Sequence, residues 1–194
     1  MKMMPMRGAP RALIRLVVAV LCLSAGTSFA QSKGIPPEQV VDYIHTVIEA
    51  DRTTYTRNVV NRLQNDDKVI KATEHFKEEK TLPLPAQMLR MGAQLASEKG
   101  KFRYALISQW AINKANLPKT VFEKRGLEAV AKDPSKPYTA YQTVAGKKYF
   151  MALYPDKAVS PACVVCHNGH KESPKKDFKQ GGVMGGIVIA LPVE

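Results

Sequence analysis

KKYFMALYPDKAVSPACVVCHNGHKESPKKDFKQGGVMGGIVIALPV, residues 147–193, carries an extended segment at each end and the pentapeptide CVVCH, Cys163 to His167, between them. KKYFMALYP is rich in aromatic and β-branched or apolar residues and predicts a strand. The closing GGVMGGIVIALPV predicts another, with glycines that permit the close approach of a second backbone or of a cofactor. Upstream, YTAYQTV predicts a strand that reaches KKYFMALYP through Ala145 and Gly146, the composition of a tight hairpin. A chain that pairs neighbouring strands in this way builds an antiparallel sheet, and CVVCH then lies in a loop before the last strand.

CVVCH itself has a specific chemistry. Two cysteines three residues apart present both thiols on one side of a turn, where they can add across the two vinyl groups of a haem. The next residue places an imidazole under the iron. Cys163 and Cys166 are therefore the expected thioether anchors of a single covalent haem c, and His167 its proximal axial ligand. A thioredoxin-like redox pair would need a βαβ context and would open a helix, which Val164, Val165 and the loop-like HNGHKESPKK do not suggest. A zinc site would need more ligands than the pair and the nearby His167 and His170 supply, since no further cysteine remains after export.

Export is expected from the N-terminus. Lys2, Arg7, Arg11 and Arg15 form a basic region, Leu16 to Leu23 an apolar core too short to span a bilayer, and Ser28, Phe29, Ala30 a small-x-small cleavage site. Residues 1–30 thus read as a Sec-type signal peptide, in preference to an uncleaved anchor. Cys22 follows Leu21 where lipoprotein processing wants a small residue, so no lipid anchor is expected. The expected location is the periplasm, with no membrane span after cleavage.

The mature residues 31–194 suffice for one domain with a core of its own. Losing four basic residues lowers the formal net charge from +12 to +8. The charges are scattered, which favours a solvated surface and an acidic redox partner over nucleic acid. The thiols of Cys163 and Cys166 would oxidise in an exported protein unless occupied, which agrees with a bound cofactor. No Ser/His/Asp or paired-carboxylate arrangement stands out, and no enzymatic activity is expected.

Further upstream, Pro37 is placed to start a helix. Apolar residues at Val41, Ile44, Val47, Ile48, Tyr55, Val59 and Leu63 then predict a long amphipathic helix to about Gln64, with Asp42, Glu49, Arg57 and Asn61 opposite. Lys68 to Lys80 reads as a short irregular helix containing His75. After the breaker TLPLPAQ a second helix is expected from Ala86 to about Lys99, followed by a strand within Lys101 to Gln109 with Phe102, Tyr104 and Leu106 on one face. INKANLPK reads as a loop, and Thr120 with Glu123 at capping-box spacing predicts a short helix over Phe122 to Ala131. The order describes an α+β domain, a small antiparallel sheet covered by the N-terminal helices.

Several of these segments occur together in a recognisable order: LPLPAQ, RYALIS, INKANLP followed by FEKRGLEAV, CVVCH, and FKQGGVMGGIVIALP. In that order the chain resembles the Tll0287-like (DUF3365) haem c domain family over essentially the whole mature sequence. The resemblance implies a PAS-like fold with a long N-terminal helix, an antiparallel sheet and one covalent haem. Family members occur as stand-alone exported proteins and as sensing parts of histidine kinases and other transducers. The sequence departs from the family at Lys114, where a proline is frequent, and at Gly182, where an aspartate is frequent. Some members take a distal cysteine from the helix before the first strand; by register Met88 falls near that position.

The sixth ligand separates the possible uses. Met88 opposite His167 would saturate the iron and raise its potential, which suits electron transfer or redox sensing. His45, beside the apolar stripe of the first helix, is the second candidate, against the plainer reading of a half-buried helix histidine. Met91, His75 and His170 follow, and His170 lies too close to His167 in sequence to reach the opposite face of the same haem. Methionines on a helix are more often core than ligand, and an open site would instead make a gas sensor. With no transducer after Glu194, the expectation is an electron carrier, with a ligand-binding sensor acting through a separate partner as the alternative.

Overall fold

A computed structural model describes residues 34–193; the expected signal peptide lies outside them. Pro37 opens helix α1, Pro37–Thr54, with a fixed φ suited to a first turn. The helix continues over Tyr55–Asp66 with wider turns, so that the Asp67 amide reaches back five residues to the Arg62 carbonyl. The pitch changes where Thr56 Oγ1 donates to the Arg52 carbonyl at 2.7 Å, a side-chain bond that competes with the helical ladder. The buried positions on this long helix are Val41, His45, Arg52, Thr56 and Val60. The expected stripe is thus shifted: Val47 is 60% exposed, while a histidine and an arginine lie inside.

The segment after it forms β1, Ala72–Thr73, helix α2, Phe76–Glu79, and β2, Leu82–Pro83, with β1 and β2 paired in parallel. His75 stands just before α2. Helix α3, Pro85–Glu98, starts at Pro85, and Gln87 Oε1 accepts from the Leu84 amide at 2.9 Å to close its first turn. Strand β3, Arg103–Ile107, leads through a single 3-10 turn at Lys114–Asn116 to helix α4, Val121–Lys132. The expected capping box is present: Thr120 Oγ1 accepts from the Glu123 amide at 3.1 Å and Glu123 Oε2 from the Thr120 amide at 3.0 Å.

Strands β4, Tyr138–Val144, and β5, Lys147–Lys157, form the expected hairpin. Ala145 and Gly146 both take positive φ, 49° and 76°, the pairing of signs that lets a two-residue turn follow the strand twist. After helix α5, Pro161–Gly169, strand β6, Val183–Pro192, enters the middle of an antiparallel sheet of order β3-β6-β5-β4.

Alternation along the two central strands divides the core. Phe150, Ala152, Tyr154, Ile187 and Ile189 face Val41 of α1 and Leu89 of α3. Leu153 and Val188 point the other way, against Phe122, Leu127 and Val130 of α4. The N-terminal helices therefore cover one face of the sheet, and α4 covers the other; the capped short helix is a full layer, which the expected order of elements had not assigned to it.

The glycines of β6 are explained by protein neighbours. A Cβ on Gly185 would run into the Ile107 carbonyl oxygen, and the obstacle is backbone. Gly185→Ala is expected to destabilise the fold by roughly 1–3 kcal/mol, the usual cost of overpacking. Thermal denaturation checks this, and an unchanged midpoint would show that β3 and β6 can separate freely.

Candidate functional site

CVVCH lies on a helix, α5, where a loop was expected. The start is built by Ser160, whose Oγ accepts from the Ala162 amide at 3.3 Å, and by Pro161 in the first turn. Over nine residues the helix brings Cys163, Cys166 and His167 onto successive turns, with i,i+3 and i,i+4 spacing from Cys163. Both thiols are free, Cys163 partly buried and Cys166 exposed.

Three sets of contacts fix this helix. Asn168 grips the backbone of Phe178 in both directions: its Nδ2 donates to the carbonyl and its Oδ1 accepts from the amide, each at 3.0 Å. Phe178 is buried with Ala158 and Met184 in a small third core on which Cys163, Val164 and Trp110 pack. The extension of α1 holds the entry to α5, because Arg57 Nε donates to the Val159 carbonyl at 2.9 Å and Ser160 Oγ donates to Asn61 Oδ1 at 3.2 Å. Arg57 and Asn61, expected on the polar face, are thus oriented toward the CVVCH helix.

His167 is shaped for a role that its surroundings do not satisfy. Its ring meets the edge of Phe178 at 5.8 Å, centroid to centroid and nearly perpendicular. Nδ1 is buried without a hydrogen-bond partner. Burial, then the nearby Arg52 charge and His170, push its pKa down, so the ring is held in its neutral form, the one that binds metal. Cys166 is exposed as a residue, but partial desolvation of its sulfur, then Glu74 and Cys163, push the thiol up, which keeps it a thiol.

A buried ion pair joins α1 to the end of β5. Arg52 Nη2 donates to Asp156 Oδ2 at 2.9 Å, with the residues 8% and 7% exposed. Arg52 Nε is buried and unpaired. Burial drives the Asp156 carboxyl upward and Arg52 opposes it. Neither residue was singled out from the sequence. The available clue was Arg52 seven residues after His45, two helical turns on and on the same face.

The other candidate ligands stand on separate elements. His45 is buried on α1 and stacks on Tyr154 of β5, with ring centroids 3.8 Å apart and planes within 8°; its Nε2 is buried and unpaired. Burial lowers its pKa, partly offset by Glu49 and Asp42. Met88 is half-buried on the first turn of α3, four residues before Gly92, which packs under Tyr104 Oη. The N-terminus of α3 is tied to the α1 extension by Tyr55, whose Oη donates to the Pro83 carbonyl at 2.8 Å. Met91 is 41% exposed, in a shallow trough with Phe76, Lys77, Gln87, Arg90 and Gln94. His75 is exposed, and His170 Nε2 lies 3.6 Å from Glu74 Oε1. Among the described residues none of these side chains hydrogen-bonds or stacks with His167.

Two free thiols and an unpaired, neutral imidazole on one short helix suit a group that brings its own equatorial ligands and takes from the protein two covalent anchors and an axial base. Among the described residues no three His, Cys, Asp or Glu side chains gather as a metal cluster. A cavity of about 420 Å³ between α3, β3 and Ala115–Lys119 is lined by none of Cys163, Cys166 and His167.

Comparison with known proteins agrees in fold. The crystal structure of the cyanobacterial heme-protein Tll0287 superposes with a TM-score of 0.52 at 11% sequence identity, covering 82% of this chain and 98% of that one. No curated protein sequence matches. The profile of the Tll0287-like family matches residues 37–192, from the first residue of α1 to the last of β6. This chain belongs to the Tll0287-like family.

Proposed function

We propose that the chain is an exported monohaem c-type cytochrome with a PAS-like fold, acting in electron transfer or redox sensing. Cys163 and Cys166 hold the haem through thioethers and His167 is the proximal ligand. The observation that carries this reading is α5: the thiols and an imidazole with an unpaired Nδ1 occupy one capped helix. A haem bound in this manner supplies a one-electron iron centre. The chain's own residues do the rest: Asn168 and Phe178 hold α5, and burial keeps His167 neutral. Periplasmic residence after signal cleavage belongs to this reading, as does an acidic redox partner attracted by the basic surface. It includes neither catalysis nor nucleic-acid binding. No helix among the described residues is long and apolar enough to cross a membrane.

Met88 is the proposed sixth ligand and His45 the second choice. A Met88→Ala variant is expected to lose the six-coordinate low-spin absorption spectrum of the wild-type holoprotein. If only His45→Ala does so, the ligand is His45. Carbon monoxide added to the reduced wild-type protein is expected to bind slowly or not at all. Prompt binding would turn the reading to a gas-binding sensor that signals through a separate partner.

A further inference from the structure

We infer that Arg52, held by Asp156, is a positioning residue whose fixed positive charge keeps the iron centre at His167 biased toward its reduced state. The inference rests on the haem reading given above.

A buried ion pair is weak evidence for stability, because removing two charges from water offsets most of their attraction, and apolar replacements of the same volume are often as stable. The Arg52–Asp156 pair is also incomplete. Arg52 reaches Asp156 Oδ2 through Nη2 alone and leaves Nε buried without an acceptor. The pair is a dipole, so Arg52 and Asp156 bias a neighbouring redox centre in opposite directions, and at this depth water screens either charge little.

Placement gives the Arg52 charge a target. Asp156 follows Tyr154 by two residues on β5, on the face that meets α1, and the same strand end runs through buried Ala158 to Ser160, the cap of α5. Arg52 is thus anchored to the segment that places His167. One and a half turns further along the same helix, Arg57 holds the Val159 carbonyl. His167 in turn meets the ring of Phe178, which is buried against Ala158, two residues after Asp156. Arginine keeps its charge at every accessible pH. When one electron enters the centre from an electrode, its net charge falls by one while no bond breaks and no proton moves. A nearby cation favours that state.

The test is a spectroelectrochemical titration of holoproteins whose covalent haem is first verified by denaturing-gel staining. Arg52→Gln keeps a donor for Asp156 and removes the charge. It is expected to disfavour reduction about tenfold, a fall of about 59 mV for one electron. Asp156→Asn leaves Arg52 unopposed and is expected to move the potential upward. Arg52→Lys, which keeps the charge, is expected to stay within about threefold of wild type. A purely structural role would loosen the site in both neutral variants and move both potentials the same way, or neither; either result overturns the inference. If Arg52→Gln does not fold, the upward shift in Asp156→Asn decides alone. Wild-type protein without covalent haem would instead overturn the reading beneath it, and this inference with it.

Discussion

Replacing both Cys163 and Cys166 by alanine is expected to abolish covalent haem attachment, so that the polypeptide expressed with a c-type maturation system shows no haem stain on a denaturing gel. The two sites are not equivalent. Cys163 packs on the Ala158, Phe178 and Met184 cluster, whereas Cys166 is exposed one turn further along. Each single alanine variant leaves one thiol for one thioether and is expected to stain weakly, with the Cys163 variant losing packing as well. His167→Ala removes the axial base and leaves both anchors, so it is expected to retain stain but lose the low-spin spectrum. Because these side chains contribute little to the two large cores, the apoprotein fold is expected to survive. A double variant that still stains at wild-type intensity would contradict the assignment of the anchors.

Leu153→Ala is expected to cost the fold about 2–5 kcal/mol, the range for deleting a fully buried leucine. Leu153 has no exposure and sits at the crossing of three elements. Its Cδ1 lies 2.9 Å from where a Cβ on Gly126 of α4 would stand, and its Cδ2 lies 2.6 Å from the same point on Gly186 of β6. Both glycines make room for this one side chain, so its removal leaves a void that rigid strands cannot close. A domain of this size gives roughly 2–4 °C of melting temperature per kcal/mol, and a fall of about 10 °C is expected by circular dichroism. A loss below 1 kcal/mol in denaturant unfolding would show that α4 is not a true layer of the core.

The strands were legible because each has a local cause. Alternation and the Ala145-Gly146 turn fixed β4 and β5, and Thr120 with Glu123 announced α4. The helix under CVVCH was not legible from periodicity, because nine residues hold too few turns for a pattern to show. Ser160 and Pro161 were its available cue, a cap followed by a first-turn proline. The parallel pair Ala72–Thr73 with Leu82–Pro83 is too short to leave a pattern. Arg52 was hidden for a different reason: one charge inside an apolar stripe becomes visible only when its partner, 104 residues away, is brought beside it. Spacing alone singles out Cys163, Cys166 and His167 as candidates, whereas the contacts that Asn168, Phe178, Arg57 and Asn61 make around their helix arise only in the tertiary fold.

The most direct measurement is a reduced pyridine haemochrome spectrum of the wild-type protein, taken with a haem stain of the denatured polypeptide. A c-type spectrum with about one haem per chain and a stained band at the position of the polypeptide are expected. An unstained band from a host competent in c-type maturation would contradict covalent haem attachment.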